Sequence, residues 1–203
     1  MALDAKLDGI RIQVHKQGSD VLVVTRSLDD ITKRLPEVVE VVRALPADTA
    51  ILDGEALLMT TEGRPRPFQE TASRTASQAA TDARVTPYFF DLLHLDGVDF
   101  LDRTTSERLA ALDRLVPRAY RVDRLVTDSV EAAEEFAAAT LRAGHEGVIV
   151  KNLEAPYDAG RRGAAWVKVK PVHTLDLVVL AIEEGSGRRR GLAVQHPPRR
   201  PRP

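Results

Sequence analysis

Hydrophobic and polar residues alternate near the start of the chain in the manner of a two-stranded hairpin. In residues 10–14 apolar side chains alternate with Arg11 and Gln13, which predicts a half-buried strand. Residues 18–20 have turn composition, and the apolar run at 21–25 predicts the returning strand. The pattern therefore predicts antiparallel pairing at the beginning of the fold.

Three segments have the apolar spacing and the terminal residues of helices. The first follows Pro36, which suits the first turn of a helix. Thr104 and Glu107 have the spacing of a capping box and predict the start of a second helix. A third helix is predicted at about 130–142, with Gly144 as its C-terminal stop. A further short helix is expected in the polar region 60–84.

The remaining apolar runs predict strands. They are residues 51–59, interrupted at 53–54, and residues 86–95, 147–151, 165–170 and 175–184. Residues 186–203 show no periodicity, which predicts a disordered tail. Strands in antiparallel arrangement, with helices set aside from them, define an α+β protein.

Composition restricts the class of protein without naming a function. The chain has 203 residues, of which 43% are hydrophobic and 29% charged, and it contains no cysteine. Disulfide scaffolds, thiolate chemistry and the usual structural zinc sites are therefore excluded. No apolar run is long enough for a membrane span and no signal peptide is recognisable, so a cytoplasmic protein without a membrane partner is expected.

Charged residues on predicted strands indicate a polar cleft. Successive strand residues point to opposite faces, so Trp166, Lys168 and Lys170 share one face, and Val167 and Val169 are expected to pack behind them. Asp53 and Glu55 share a face in the same way. The strand at 147–151 is expected to deliver Lys151 to a rim, with Glu146 at its other end.

Each of these features also has an ordinary structural explanation. A single Lys-x-Asp-Gly segment is more often a surface turn, and two lysines on a strand are more often a solvated face. Phe90 and Trp166 are more often core residues than ligand platforms. The arginine-rich end of the chain is more often a solvated tail than a nucleic-acid contact.

The order of the features is more specific than any one of them. In chain order the sequence contains KLDGIR (6–11), TRS (25–27), DGE (53–55), YFFD (88–91), EGVIVK (146–151) and WVKVK (166–170). This series, spread over residues 4–171, resembles the nucleotidyltransferase motifs of ATP-dependent DNA ligases. Their superfamily also contains RNA ligases and mRNA capping enzymes. FDLLHLDG, EGVIVK and WVKVK look most like the bacterial ATP-using DNA ligases.

The resemblance implies an adenylation domain of the nucleotidyltransferase, ATP-grasp-like fold, with antiparallel sheets flanked by helices. It implies that Lys6 attacks the α-phosphate of ATP to form lysyl-AMP, with Lys168 and Lys170 as further catalytic residues. AMP then passes to the 5′-phosphate of nicked double-stranded DNA, and the 3′-hydroxyl seals the strand in repair, replication or recombination. Nearby positive charge would favour the free amine of Lys6.

The resemblance also implies a nucleotide site and a metal site. The implied ATP-binding residues are Asp4, Lys6, Arg11, Arg26, Glu55, Phe90, Lys151 and Lys168. Among them, Phe90 matches the aromatic residue that stacks on adenine, Asp4 lies at the adenine edge, and Lys151 contacts the α-phosphate. Arg26 matches a contact with the ribose or the nick phosphate. Glu146, with Glu55 as a second ligand, would hold Mg²⁺, which prefers oxygen ligands.

The same resemblance predicts the domain organisation. Residues 1–172 correspond to an adenylation domain that is incomplete at its N-terminus, and 173–185 to the start of a truncated OB-fold domain. Separate proteins are expected to supply the missing domains. Two alternatives stay open: an inactive remnant that binds nucleotide or DNA, and an RNA ligase or capping-type nucleotidyltransferase.

Overall fold

The computed structural model describes residues 1–61, 63–76, 84–159 and 165–172, together with strands at 182–184 and 193–195. The chain divides into two compact units, Met1–Pro171 and Val172–Pro203. The strands of the first unit, in chain order, are β1 (Ala2–Ala5), β2 (Ile10–Gln17), β3 (Asp20–Thr25), β4 (Thr49–Leu58), β5 (Val85–Leu95), β6 (Val98–Asp99), β7 (Arg124–Val126), β8 (Val148–Lys151) and β9 (Trp166–Val169). Its helices are α1 (Pro36–Arg43), α2 (Phe68–Ala76), α3 (Thr105–Leu115) and α4 (Val130–Arg142).

These strands form two antiparallel sheets, which confirms the predicted α+β class. The larger sheet has the order β3-β2-β4-β5-β6, and the smaller has the order β7-β1-β8-β9. The chain passes from one sheet to the other between β1 and β2, at residues 6–9. A side chain in that connection therefore lies where the two sheets meet.

The helices follow the sequence signals closely. Pro36 occupies the first turn of α1. Thr104 caps α3 through the predicted capping box with Glu107. Ser129 caps α4, and Gly144 after its end has φ +93°, a conformation that glycine adopts without strain. The main core lies between the larger sheet and helices α1 and α3, and its largest fully buried apolar side chains include Ile12, Leu35, Leu52, Phe89, Leu92 and Leu112.

Two strand predictions need correction. Strand β4 is continuous, and the expected interruption at 53–54 appears instead as a shift in its register with β5. Val167 and Val169 do point away from the lysines but are 51% and 48% exposed, so they do not pack behind them. Strand β9 is the last strand of its sheet, and parity determines the face of a side chain but not what covers that face.

Strand β1 is absent from the sequence-based prediction. Its four residues are all buried, and β1 lies between β7 and β8 in the centre of the smaller sheet. Without β1, the sequence pattern leaves Lys6 on an isolated turn. In the structure Lys6 directly follows a central, buried strand.

The second unit contains strands β10 (Ile182–Glu184) and β11 (Ala193–Gln195), which pair antiparallel. The segment that was expected to lack regular structure thus contains one short strand. Most of the strand predicted at 175–184 lies outside the described residues. No helix within the described part of the chain is both long and apolar enough to traverse a membrane.

Candidate active site

Backbone hydrogen bonds hold Lys6 against the residues that lead into β8. The Lys6 amide donates to the Gly147 carbonyl over 2.8 Å, and the Glu146 amide donates to the Lys6 carbonyl over 3.1 Å. The Lys6 ammonium forms an ion pair with the Glu146 carboxylate, and the two side chains are 18% and 32% exposed. Two residues 140 positions apart in the chain are thereby joined where the two sheets meet.

Glycines make these close approaches possible. A Cβ at Gly147 would clash with the Val169 carbonyl, and the φ of Gly147 is +142°. A Cβ at Gly9 would likewise clash with the Ala56 carbonyl. The glycines of the KLDG and EGV segments therefore allow neighbouring backbones to approach closely.

The surroundings of Lys6 lower the pKa of its amine. Burial lowers the pKa of the amine below its ordinary value, and positive charge on Lys168 and Lys170 lowers it further. Asp8 and Glu55 act in the opposite direction, as does the ion pair with Glu146. Lys168 on β9 and Lys170 directly after it are both exposed. These are the two lysines that were predicted to share a face, and both lower the pKa of Lys6.

Glu55 lies on β4 directly opposite Arg11 of β2. Burial raises the pKa of its carboxyl from 4.5 to about 7, against the opposing effects of Arg11, a hydrogen bond from the Gly9 backbone amide, and Lys6. Glu55 can therefore hold a proton near neutral pH, where most glutamates are ionised.

Replacement of Glu55 by glutamine is expected to remove part of the pH dependence of stability. The folded-state pKa is raised, so the folded protein binds the extra proton more strongly than the unfolded chain does, and wild-type stability falls as pH rises through about 7. Glutamine does not titrate, so the free energy of unfolding of Glu55→Gln, taken relative to wild type, should be about 1–3 kcal/mol higher at pH 8 than at pH 5. Urea unfolding at the two pH values measures this, with Glu134→Gln on exposed α4 as control. An equal difference from wild type at both pH values would contradict the assignment.

A hydrogen-bonded group of four side chains lies beside Glu55. Arg11 Nη2 donates to Asp53 Oδ2 over 2.8 Å and to the Tyr157 hydroxyl oxygen over 3.3 Å. The Tyr157 hydroxyl itself donates to Asp53 Oδ2. Gln13 Nε2 donates to the other Asp53 oxygen over 3.2 Å. Asp53, which is 2% exposed, is thus satisfied by three donors.

Aromatic rings and cations from both sheets meet next to this group. The Phe90 and Trp166 rings are in edge contact with centroids 5.9 Å apart. The Arg11 guanidinium lies 5.2 Å from the Phe90 centroid. The Lys151 ammonium lies 5.2 Å from the Phe90 centroid and 4.2 Å from that of Trp166. Phe90 is half-buried, so part of its ring stays accessible.

Lys151 is not at a rim, contrary to the sequence-based expectation. It is 1% exposed and its ammonium lies 2.7 Å from Asp4 Oδ2 and 2.9 Å from the Phe90 carbonyl. Asp4 is 2% exposed and also accepts two hydrogen bonds from Arg124, at 2.5 and 3.1 Å. These buried ion pairs engage both Asp4 oxygens and join β1 to β7 and β8.

The structure does not bring every predicted residue together. Arg26 is exposed in the turn that follows β3, and within the described residues no hydrogen bond or ion pair joins it to the Lys6 region. Its neighbour Thr25 pairs with Ile12, so Arg26 lies at the end of the sheet that carries Arg11.

Several residues of the site carry no sequence signal. Tyr157 follows a proline in an irregular loop, and Arg124 lies in a three-residue strand without alternation. Arg108 is fully buried within α3 and pairs with Asp91 of β5. A buried arginine on a helix shows no apolar periodicity, so only the three-dimensional contacts reveal it.

The carboxylates of the site suit one kind of metal. In the described part of the chain no three Asp, Glu or His side chains form a metal-binding group. Glu146 and Glu55 provide hard oxygen ligands next to a cluster of lysines that suits phosphates. Mg²⁺ is commonly bound through one or two carboxylates together with substrate phosphates, so the residues present fit it.

Two antiparallel sheets with a lysine nucleophile candidate at their junction define the adenylation-domain class of covalent nucleotidyltransferases. Residues 1–170 match the family described as ATP dependent DNA ligase domain. The chain belongs to this family. The match covers both sheets of the first unit and all of the residues predicted for the site.

Similar proteins agree with this assignment. The chain is 69% identical over 191 residues to a probable DNA ligase of a Nocardioides species, covering 94% of the chain and 37% of that protein. It is 66% identical to a probable DNA ligase of Kineococcus radiotolerans, of which it covers 38%. The chain therefore spans somewhat more than a third of the length of these curated relatives.

Solved structures show the same fold. The ligase domain of M. tuberculosis LigD aligns with a TM-score of 0.65 and 31% identity over 83% of this chain and 54% of that one. A mycobacterial DNA ligase D complexed with ATP and MES aligns with a TM-score of 0.64 and 30% identity over the same shares.

Proposed function

We propose that this chain catalyses the first step of ATP-dependent DNA ligation, the transfer of AMP from ATP to Lys6. The observation that carries the proposal is the environment of the Lys6 amine, whose pKa is lowered by burial and by Lys168 and Lys170. A lysine must lose its proton before it can attack, and it is activated by burial and by nearby cations. The family assignment supplies ATP as the nucleotide.

In the proposed reaction, the Lys6 nitrogen forms a bond to the α-phosphorus of ATP. The bond from that phosphorus to the bridging oxygen of pyrophosphate breaks, and the amine proton leaves to solvent. Lys168 and Lys170 lie close enough to Lys6 for their charges to lower its pKa. They are proposed to offset negative charge on the phosphates. Such preorganised charge is the main source of catalysis in phosphoryl transfer.

Other residues are proposed to bind the nucleotide. The accessible part of the half-buried Phe90 ring suits stacking with adenine. Arg11, which is 39% exposed at its side chain, suits a ribose or phosphate oxygen. Three further contacts stay predictions: Lys151 with the α-phosphate, Asp4 with adenine, and Arg26 with the ribose or the nick. Lys151 and Asp4 are engaged with each other in the structure.

Glu146, together with Glu55, is proposed to hold Mg²⁺. When bound, the metal supplies Lewis-acid stabilisation of phosphate charge. Glu146 pairs with Lys6 in the structure, so its carboxylate already lies beside the reacting amine.

For the whole protein we propose nick sealing. AMP would pass from Lys6 to the 5′-phosphate of a nicked DNA duplex, and the 3′-hydroxyl would then displace it. This part of the proposal rests on the family and on relatives named as probable DNA ligases, of which the chain spans somewhat more than a third.

Incubation with Mg²⁺ and ATP labelled at the α-phosphate tests the first step. Label is expected on the denatured protein, and a chelator should prevent its transfer. Absence of label on a folded protein would contradict the proposal, and preferential use of GTP would favour a capping-type enzyme.

Glu146→Gln is expected to slow labelling by about 10²-fold or more, because it removes a metal ligand while leaving the side chain nearly isosteric. The initial rate of labelling as a function of Mg²⁺ concentration measures this effect. Glu134→Gln, on the exposed part of α4, is the matched control and should label like wild type. If the Glu146 variant labelled at the wild-type rate, Glu146 would not be a metal ligand.

A further inference from the structure

Tyr157 lies on the loop between β8 and β9 and reaches across to the larger sheet. We propose that Tyr157 is a positioning residue for the nucleotide: its hydroxyl, together with Asp53, holds the Arg11 guanidinium beside the Phe90 ring. This inference rests on the proposed function, since it assumes that Arg11 binds ATP.

The Tyr157 hydroxyl contacts both Asp53 and Arg11. The Tyr157 hydroxyl donates to Asp53 Oδ2 and accepts from Arg11 Nη2 over 3.3 Å, while Arg11 Nη2 also donates to Asp53 Oδ2 over 2.8 Å. Each of the three side chains therefore contacts the other two. A triangle of this kind defines the orientation of the guanidinium, which a single contact with Asp53 would leave free to swing.

The position of the Tyr157 ring is itself fixed from several sides. Its backbone amide donates to the Leu101 carbonyl over 2.9 Å. The Arg108 guanidinium lies 5.7 Å from the ring centroid, and the Trp166 ring is in edge contact at 6.0 Å. Because Arg108 is fully buried and paired with Asp91, the ring packs against an immobile group.

The loop before Tyr157 is attached to α3. The amides of Thr105 and Ser106 donate to the carbonyls of Ala155 and Leu153, each over 2.9 Å. The Thr105 hydroxyl and Arg108 Nη1 also donate to the Ala155 carbonyl. A loop of the smaller sheet is thereby anchored on a helix that packs on the larger one, and Tyr157 lies where it ends.

The arrangement leaves Arg11 able to bind a ligand. Both hydrogen bonds that Arg11 donates to side chains of the described residues come from Nη2. Nε and Nη1 can therefore donate to a ligand. The side chain is 39% exposed and lies 5.2 Å from the Phe90 centroid. An oxygen-rich ligand next to that ring, such as the ribose or phosphates of ATP, suits these donors.

The protonation state of Tyr157 is consistent with its role. Burial raises the pKa of the hydroxyl above its ordinary value, and the negative charge of Asp53 raises it further. The hydroxyl therefore remains a donor to Asp53 throughout the neutral and mildly alkaline range.

Titration with ATP tests the proposal, because Trp166 is the single tryptophan of the chain and contacts both Tyr157 and Phe90. Tyr157→Phe keeps the ring and removes the hydroxyl. We expect the Kd for Mg²⁺-ATP, measured from Trp166 fluorescence, to rise about fivefold to twentyfold, as for the loss of a hydrogen bond to a charged group. Tyr120→Phe, which removes a hydroxyl outside this group, is the control and should bind like wild type.

A double-mutant cycle separates positioning from packing. In an Arg11→Lys background, Tyr157→Phe should raise the Kd by less than about twofold, because the guanidinium that the hydroxyl orients is gone. Thermal unfolding of Tyr157→Phe should stay close to that of wild type. A Kd within twofold of wild type for Tyr157→Phe, or full additivity with Arg11→Lys, would overturn the proposal, as would the lack of any fluorescence response to ATP.

The two proposals fail in different ways. If wild type binds ATP but forms no lysyl-AMP, the proposed function fails, and the Kd values still decide the role of Tyr157. If labelling occurs and the cycle is additive, the function stands and the positioning role fails.

Discussion

Replacement of Lys6 by arginine is expected to reduce the transfer of AMP to the protein by about 10³-fold or more. Burial, Lys168 and Lys170 lower the pKa of the lysine amine, which makes its proton easier to lose. A guanidinium stays charged at any pH compatible with folding, so it has no free electron pair for attack on phosphorus. Arginine keeps the positive charge that pairs with Glu146, which limits the effect on stability.

The measurement is the amount of label on denatured protein after incubation with Mg²⁺ and α-labelled ATP. Lys33→Arg, an exposed change of the same chemistry, is the control and should label at the wild-type rate. The Lys6 variant should still quench or shift Trp166 fluorescence on binding ATP. Comparable labelling of Lys6→Arg and wild type would show that another residue accepts AMP.

Replacement of Arg108 by methionine is expected to lower the free energy of unfolding by about 3–5 kcal/mol. Arg108 and Asp91 are both 0% exposed at their side chains and form two hydrogen bonds, at 2.8 and 3.3 Å. Methionine fills much of the volume but leaves the Asp91 carboxylate buried without its partner. Arg108 also donates to the carbonyls of Arg103 and Ala155, which would lose a donor as well.

Urea unfolding measures this loss, with Arg114→Met on the exposed side of α3 as the matched control. Combination of Arg108→Met with Asp91→Leu should recover part of the stability, because the uncompensated charge is then removed. A loss below about 1 kcal/mol for Arg108→Met would mean that the pair is not the tight buried contact described.

Periodicity and capping signals were enough to predict most elements of the first unit. Some features depend only on residues close together in the chain. They are the hairpin of β2 and β3, the capping box of α3 and the apolar run of β5. Strand β1 was not predicted, because its four residues are too few to show a periodic pattern. Its Asp4 is buried, and the partners that make this tolerable, Arg124 and Lys151, lie more than a hundred residues away.

Motif order predicts which residues form the candidate site but not how their surroundings pack. The order of the motifs indicated Lys6, Glu146, Lys168 and Lys170. In the structure Lys6 pairs with Glu146 and is close enough to both other lysines for them to lower its pKa. Motif order could not show that Lys151 is buried, since burial depends on packing between two sheets. It also could not reveal Tyr157, whose contacts with Asp53 and Arg11 come from an irregular loop.

The most direct test of the account is to locate the AMP on the protein. Protein that has reacted with Mg²⁺ and ATP can be digested under conditions that preserve a phosphoramidate, and the modified peptide can be sequenced by tandem mass spectrometry. We expect AMP on Lys6, in the peptide that joins β1 to β2, and transfer of that AMP to added pyrophosphate, which regenerates ATP and the free lysine. AMP on any other residue, or none on folded protein that binds ATP, would contradict it.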